Sequence, residues 1–278
     1  HMPFVDWWQH LPENLSPVIF EIGPISLRYY GMMYVVAFTI VYFMTRYRLR
    51  TEDRFHLSVQ QVNDIITAMI VGLILGARLG YVIFYNLSYY VSHPLEILLP
   101  FDFSNGIRFV GIAGMSYHGG LLGVILAAFW YCRKTRLGFW ETSDLFIPVI
   151  PLGYTFGRLG NFINTELYGR TTQKAIGMFF PNAPGAALRH PTQLYEAFFE
   201  GIFLFALLWS IRKMKLPSGG LLAIYLAGYG IVRFFIEFFR EPDAHLGFVL
   251  MSFTMGQLLC AAMIAGGALL FLYRAKHA

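Results

Sequence analysis

Charge is scarce in this chain. Asp, Glu, Lys and Arg make up 13% of its 278 residues, where a soluble domain carries about 25%. Hydrophobic residues supply 56% and aromatic residues 18%, a balance that excludes an ordinary water-soluble domain and points to an all-α integral membrane protein. Cysteine is nearly absent. Cys132 and Cys260 lie far apart, each at or in an apolar segment. That spacing makes no zinc or redox motif, so they read as two small buried hydrophobes. Tandem repeats and low-complexity tracts are also lacking. So is a basic region ahead of a short apolar one at the N-terminus, which predicts that no signal peptide is cleaved and that the first apolar segment acts as signal and anchor together. His1 is set aside as an expression remnant.

What the chain does have is long apolar runs. A helix needs about 20 mostly apolar residues to cross the hydrocarbon core. Seven segments qualify in outline: Tyr29–Thr45, Ile65–Tyr85, Gly111–Tyr131, Ser143–Phe156, Leu194–Ile211, Gly220–Phe239 and Phe248–Tyr273. Pro148 and Pro151 predict a kink or break in the fourth. The net charge of +5 does not indicate nucleic acid, because the basic residues fall in short clusters between the apolar runs. Arg46, Arg48, Arg50 and Arg54 follow the first, Arg133, Lys134 and Arg136 the third, Arg212, Lys213 and Lys215 the fifth, and Arg274 and Lys276 the seventh. Placing all four clusters in the cytoplasm puts the N-terminus outside and the C-terminus inside. Residues 2–278 then form one membrane domain, with Pro12–Leu27 as an outer amphipathic lead-in. Tyr89–Ile107 is an outer loop ending in the polar turn Asp102–Gly106, and residues 161–193 form an outer-face cap, a small periplasmic head.

The remaining basic residues are Arg28, Arg78, Arg108, Arg158, Arg170, Lys174, Arg189, Arg233 and Arg240. They fall within spans or toward the outer face, and all but one are arginine. A charge at the membrane centre costs about 2.5–3.5 kcal/mol on insertion scales. Arginine is favoured where a planar fork of donors must hold phosphate or carboxylate. Pairing with Glu166, Glu196, Glu237 and Glu241 for structural reasons is the plainer alternative for some of them.

Four constellations gather these groups. The run Gly157-Arg-Leu-Gly-Asn-Phe-Ile-Asn-Thr-Glu-Leu-Tyr-Gly-Arg170 packs two arginines, two asparagines, a glutamate and three glycines into a short stretch. Arg158 and Asn161 share a face if the helix continues that far. Gly157, Gly160 and Gly169 permit close backbone approach. The second, Gly114–Gly120, carries His118, a group able to exchange protons near neutral pH, flanked by glycines that leave room for a ligand. A packing histidine is the competing reading, and no partner stands at a metal-binding spacing. In the third, Tyr229, Arg233, Glu237 and Arg240 fall within about 80° at roughly 100° per residue. This single polar stripe suits an anion site, although Arg233 and Glu237 also fit a structural pair. The fourth, His190–Glu196, re-enters the membrane, with Gln193 and Glu196 in supporting positions. Tyr30 opens the first span, where an interfacial anchor is equally natural.

Taken together, these stretches resemble the bacterial prolipoprotein diacylglyceryl transferases. The 157–170 run is similar to that family's signature. Tyr30-Gly31, Ser116–Gly120, His190–Glu196 and Tyr229–Arg240 follow in the family's order over nearly the whole chain. Thr165 and Tyr168 stand at tolerant signature positions, Arg28 stands where a histidine can occur, and the cap between Arg170 and His190 is short. The resemblance implies a seven-span enzyme of the bacterial inner membrane with its site toward the outer face and no metal or cofactor. It implies transfer of diacylglyceryl from phosphatidylglycerol to the lipobox cysteine of a preprolipoprotein, leaving a thioether and glycerol-1-phosphate. By matching positions, Arg158 and Arg233 would stabilise the leaving phosphate, with Asn161, Tyr30 and Tyr229 at the headgroup. Glu166, Gly169, Arg170, Gln193, Glu196, Glu237 and Arg240 would support them. His118 is the candidate base for the substrate thiol; the competing reading is that the arginine field alone lowers the thiol's pKa and His118 only positions substrate. An anion or lipid transporter lined by the same arginines is the rival reading. It calls for inverted repeats with paired broken helices, which this chain lacks.

Overall fold

The computed structural model describes residues 3–23, 25–97, 99, 101–102, 108–109, 114–241, 248–250 and 253–277. It is mostly helical. A short helix α1 (Pro3–Gln9) precedes a hairpin of β1 (Val18–Ile22) and β2 (Ile25–Arg28). The longer elements are α2 (Tyr29–Thr51), α3 (Val59–Tyr85), α5 (Tyr117–Thr135), α7 (Ile150–Ile163), α10 (Gly220–Ile236) and α11 (Met255–Lys276). Between them lie α4 (Leu87–Ser92), α6 (Phe139–Phe146) and a continuous run of α8 (Thr192–Tyr195), a π-helical segment (Glu196–Phe203) and α9 (Leu204–Ile211). Two-residue strands β3 (Phe101–Asp102) and β4 (Arg108–Phe109) pair, as do β5 (Phe248–Leu250) and β6 (Phe253–Thr254).

Three helices are long and apolar enough to cross a membrane: Val59–Tyr85, Thr192–Ile211 and Met255–Lys276. Only 17% of the most apolar window of α11 is buried inside the protein. Phe84, Leu122, Leu269 and Leu272 are more than half exposed. So much uncovered apolar surface identifies lipid as the solvent.

Several boundaries differ from expectation for local reasons. The segment read as a helix from Phe248 begins at Met255, because Thr254 and Gln257 close a capping box there. The third begins at Tyr117 behind its cap Ser116, which accepts from the Gly119 amide at 3.2 Å; residues 111–113 lie outside the described residues. The lead-in at Pro12–Leu27 is largely a hairpin, turning near Gly23 at φ +58°. Residues 103–106 of the polar turn are outside the described residues. Proline does interrupt the fourth segment. A 3₁₀ turn at Ile147–Val149 separates α6 from α7, and α7 then runs on to Ile163, carrying Arg158 and Asn161 on one helix. Arg48 is no loop charge. It is fully buried on α2, paired through two nitrogens with Glu52 at 2.7 and 2.8 Å.

The chain divides into two compact units, residues 1–52 with 143–278 and residues 53–142. In the first, α7 packs on α2 and on the π-helical segment, and α10 packs on α11. The Asp144 carboxylate caps α10 by accepting from the Gly219 and Leu222 amides at 2.8 and 3.1 Å. Phe162, Met178 and Phe180 form a small core over which Trp8, Leu11 and Leu194 fold, tying α1 to the 161–193 region.

In the second unit, α3 and α5 meet along a seam of glycines. A Cβ on Gly119 would lie 2.3 Å from the Gly76 carbonyl oxygen, and one on Gly123 would lie 2.0 Å from that of Gly72. Small residues let membrane helices approach to backbone contact. Gly119 and Gly120 are buried in this seam, so they serve helix packing and do not open space for a ligand beside His118. Gly119→Ala must therefore push two backbones apart. The expected result is a loss of about 1–3 kcal/mol, read as a lowered thermal midpoint in detergent.

Candidate active site

The first unit brings together three arginines and three glutamates from α7, the π-helical segment, α10 and the turn that follows it. Arg158 projects from α7. Its Nε donates to the Tyr154 hydroxyl at 2.7 Å and lies 2.8 Å from Glu196 Oε2, and its Nη1 donates to Asn161 Oδ1 at 3.2 Å. Arg233 of α10 donates through Nη1 to Glu196 Oε1 at 3.2 Å and to Glu200 Oε1 at 3.5 Å, while its Nε stands 3.4 Å from Glu237 Oε2. Arg240 Nη1 bonds Glu196 Oε1, and its Nε is 3.6 Å from Glu237 Oε2. The Tyr154 hydroxyl donates to Glu200, and Thr254 donates to Glu237 at 3.3 Å.

A pattern runs through these contacts. Each arginine commits Nε and Nη1 to protein groups, and among the described residues no acceptor meets Nη2 of Arg158, Arg233 or Arg240. Their side chains keep 14%, 17% and 18% exposure, whereas those of Glu196 and Glu200 keep 1% and none. The carboxylates form the floor of the cluster and the guanidinium edges form its open side. Such a floor fixes the arginines in place and lowers the cost of holding three like charges close together.

The signature run builds the flank of this site. Asn161 donates to Glu166 Oε1 at 2.8 Å, and Asn164 to the same oxygen at 3.4 Å. Glu166 thus orients Asn161, which meets Arg158. Gln193 donates to the Glu166 carbonyl at 2.6 Å, and Thr192 to the Leu167 carbonyl at 3.1 Å. These bonds hold Thr165 and Leu167 at φ +52° and +57°, the left-handed region that costs a non-glycine residue energy. Unusual dihedrals therefore occur in the run, at these two residues. Gly169 serves close approach. A Cβ there would sit 2.3 Å from the Phe239 carbonyl oxygen, where the chain pairs with Arg240. Arg170 donates through Nε to the Arg240 carbonyl at 2.6 Å, so it braces the backbone of Arg240. Gly157 faces open space, and Gly160 packs on Tyr30.

Other expected residues take other places. Tyr30 hydrogen-bonds Tyr34 at 2.9 Å. Tyr229 sets its ring edge-on to Tyr154 at 6.3 Å. The polar stripe is only partly helical. α10 ends at Ile236, Glu237 stands at its C-cap, and a turn delivers Arg240 to the cluster. His190 bonds the Tyr195 hydroxyl at 3.0 Å, and burial, with Lys174 nearby, lowers its pKa. His118 belongs to the other unit, exposed at the start of α5. Among the described residues no three His, Cys, Asp or Glu side chains group as metal ligands would.

Glu200 and Tyr154 were missed by sequence reasoning. The signal for Glu200 was present in the spacing Glu196, Glu200, Leu204, Leu208, a four-residue repeat in which all four are at most 1% exposed.

These features define a helical membrane protein organised around a partly open arginine–carboxylate cluster, and comparison with known proteins identifies its kin. The family described as prolipoprotein diacylglyceryl transferase matches residues 17–273. A phosphatidylglycerol–prolipoprotein diacylglyceryl transferase of Chlorobaculum tepidum is 55% identical over 265 residues, covering 95% of this chain and 91% of the relative. Proteins of the same name from Bordetella avium and Geobacter sulfurreducens are 44% and 45% identical, covering 95% and 91% of this chain and 96% and 93% of their own lengths. The chain belongs to the prolipoprotein diacylglyceryl transferase family and is a transferase.

Proposed function

We propose that this enzyme transfers the diacylglyceryl group of phosphatidylglycerol to the lipobox cysteine of a preprolipoprotein in the bacterial inner membrane. It would act toward the outer face, with seven spans and residues 161–193 as a cap. The substrate thiolate attacks the diacylglyceryl carbon bonded to phosphate oxygen. A carbon–sulfur bond forms, the carbon–oxygen bond breaks, and its electron pair leaves on glycerol-1-phosphate. The observation that carries this reading is the convergence of Arg158, Arg233 and Arg240 on the buried carboxylates of Glu196 and Glu200, with no hydrogen bond from their Nη2 atoms among the described residues. Preorganised donors aimed at a developing anion stabilise the transition state. Arg158 and Arg233 take the leaving phosphate, and Arg240 extends the same cluster. Asn161, Tyr30 and Tyr229 contact the headgroup. Glu166, Gly169, Arg170, Gln193, Glu196 and Glu237 hold the arginines and Asn161. Membership in a transferase family weighs against the transporter alternative.

His118 is assigned the thiol proton; its exposure leaves the imidazole accessible. The test is a defined reaction of purified enzyme, phosphatidylglycerol and a lipobox peptide, followed by mass spectrometry. The peptide gains the mass of diacylglyceryl, and its Cys→Ser version does not. Absence of that gain with intact substrates refutes the proposal. In the same assay His118→Asn loses activity most at neutral and lower pH, where free thiolate is least abundant. An unchanged rate and pH profile would remove His118 as the base.

A further inference from the structure

The ion cluster depends on an irregular helix. In an α-helix a step of four residues overshoots one turn by about 40°, so three such steps drift about 120°. Yet Glu196, Glu200, Leu204 and Leu208 are all buried, at 0%, 0%, 1% and 0% exposure. The chain reconciles the two by running Glu196–Phe203 as a π-helix. Its wider i→i+5 turn takes back the drift, so the two carboxylates reach the arginines while Leu204 and Leu208 still reach the core. Regular α-structure would have to give up one pair or the other.

Something must keep this segment out of the α form, and α7 supplies it. The Thr155 hydroxyl, 5% exposed, points across the interface and donates to the Ala197 carbonyl at 3.2 Å, and to its own helix at Pro151 O at 3.3 Å. In an α ladder the Ala197 carbonyl would accept from the Gly201 amide. Gly201 lies directly against the threonine, where an added Cβ would come 2.0 Å from Thr155 Oγ1. Thr155 also stands three residues before Arg158 on the same helix, one turn away.

We infer that Thr155 is a positioning residue: its hydroxyl, seated on Ala197 and Gly201, locks the π-helical segment and so sets where the Glu196 and Glu200 carboxylates hold Arg158, Arg233 and Arg240. The inference rests on the reading of that cluster as the reaction site. Thr155→Val keeps the shape and removes the donor. Its kcat is expected to fall on the order of 10²-fold, the cost of about 1 Å of misplacement, with KM for phosphatidylglycerol within about a factor of two. Thr155→Ser keeps the donor and retains most of the turnover. Infrared spectra of enzyme carrying ¹³C-labelled glutamate provide a readout independent of activity. Bands assigned by Glu200→Gln shift in Thr155→Val and not in Thr155→Ser. Unchanged kcat and unchanged bands in Thr155→Val overturn the inference. So does equal loss of kcat and thermal midpoint in both variants, which would reduce Thr155 to packing. If wild-type enzyme fails to modify the peptide at all, the proposed reaction is wrong, while the band shifts still decide the role of Thr155.

Discussion

Glu196→Gln is expected to destabilise the protein by about 3–5 kcal/mol, the usual result of removing one partner from a buried ion pair, and to lower turnover more than any other single carboxylate change. Among the described residues Glu196 is the one acid that touches all three arginines: Arg158 through Oε2, and Arg233 and Arg240 through Oε1. Its side chain is 1% exposed, so water cannot replace the lost charge. Glutamine keeps the shape but offers a single acceptor oxygen and a donor amide to three cations. The floor under the guanidinium row then disappears, and the arginines repel one another in a site of low dielectric. Glu237→Gln is the control. Glu237 pairs with Arg233 and Arg240 only at 3.4 and 3.6 Å, and its side chain is more exposed, at 10%. Thermal midpoints in detergent and turnover with the lipobox peptide check the order. Equal effects of the two substitutions would contradict Glu196 as the hub.

The cluster explains why some of the site was legible in the sequence and some was not. Apolar runs and proline positions report on local chain physics, so the helical class and the break near Pro148 could be read directly. The excess of arginine over lysine away from the loops pointed to planar anion recognition, and Arg158, Arg233 and Arg240 do converge. Two of the counter-charges, Glu196 and Glu237, were open to the same reading as pairing partners; the third, Glu200, was passed over. Glu200 sits in a phenylalanine-rich stretch, where its spacing from Glu196 is the one cue. Its meaning comes from a four-residue spacing that only a π-helix turns inward. Helical-wheel arithmetic assumes about 100° per residue and fails where tertiary contacts change the turn. At Arg240 the helix has already given way to a turn beyond Ile236, yet Arg233, Glu237 and Arg240 still come together as that arithmetic groups them. The glycines near His118 misled for a related reason. A missing side chain reads the same whether it admits a ligand or another backbone, and here it admits α3.

The sharpest test of the proposed chemistry is Arg158→Lys, for which kcat is expected to fall about 10²–10³-fold, as on loss of one preorganised donor to a developing anion. Lysine keeps the charge and loses the fork. Arg158 now meets Tyr154, Glu196 and Asn161 with Nε and Nη1 and still has Nη2 to offer. A single ammonium on a flexible four-carbon stem cannot meet those three groups and a phosphate oxygen together. If it stays on the carboxylate floor, the phosphate loses its donor; if it turns to the phosphate, Glu196 loses a partner. Either way the loss falls on the chemical step, so KM for phosphatidylglycerol should change much less than kcat. Arg233→Lys should behave alike, because Arg233 holds Glu196, Glu200 and Glu237 through the same two nitrogens. Since both arginines share Glu196, the double variant should cost less than the product of the two single losses. Full multiplicativity would mean that they act on separate parts of the reaction, and near-normal turnover in Arg158→Lys would show that charge alone, without the planar fork, suffices at this position.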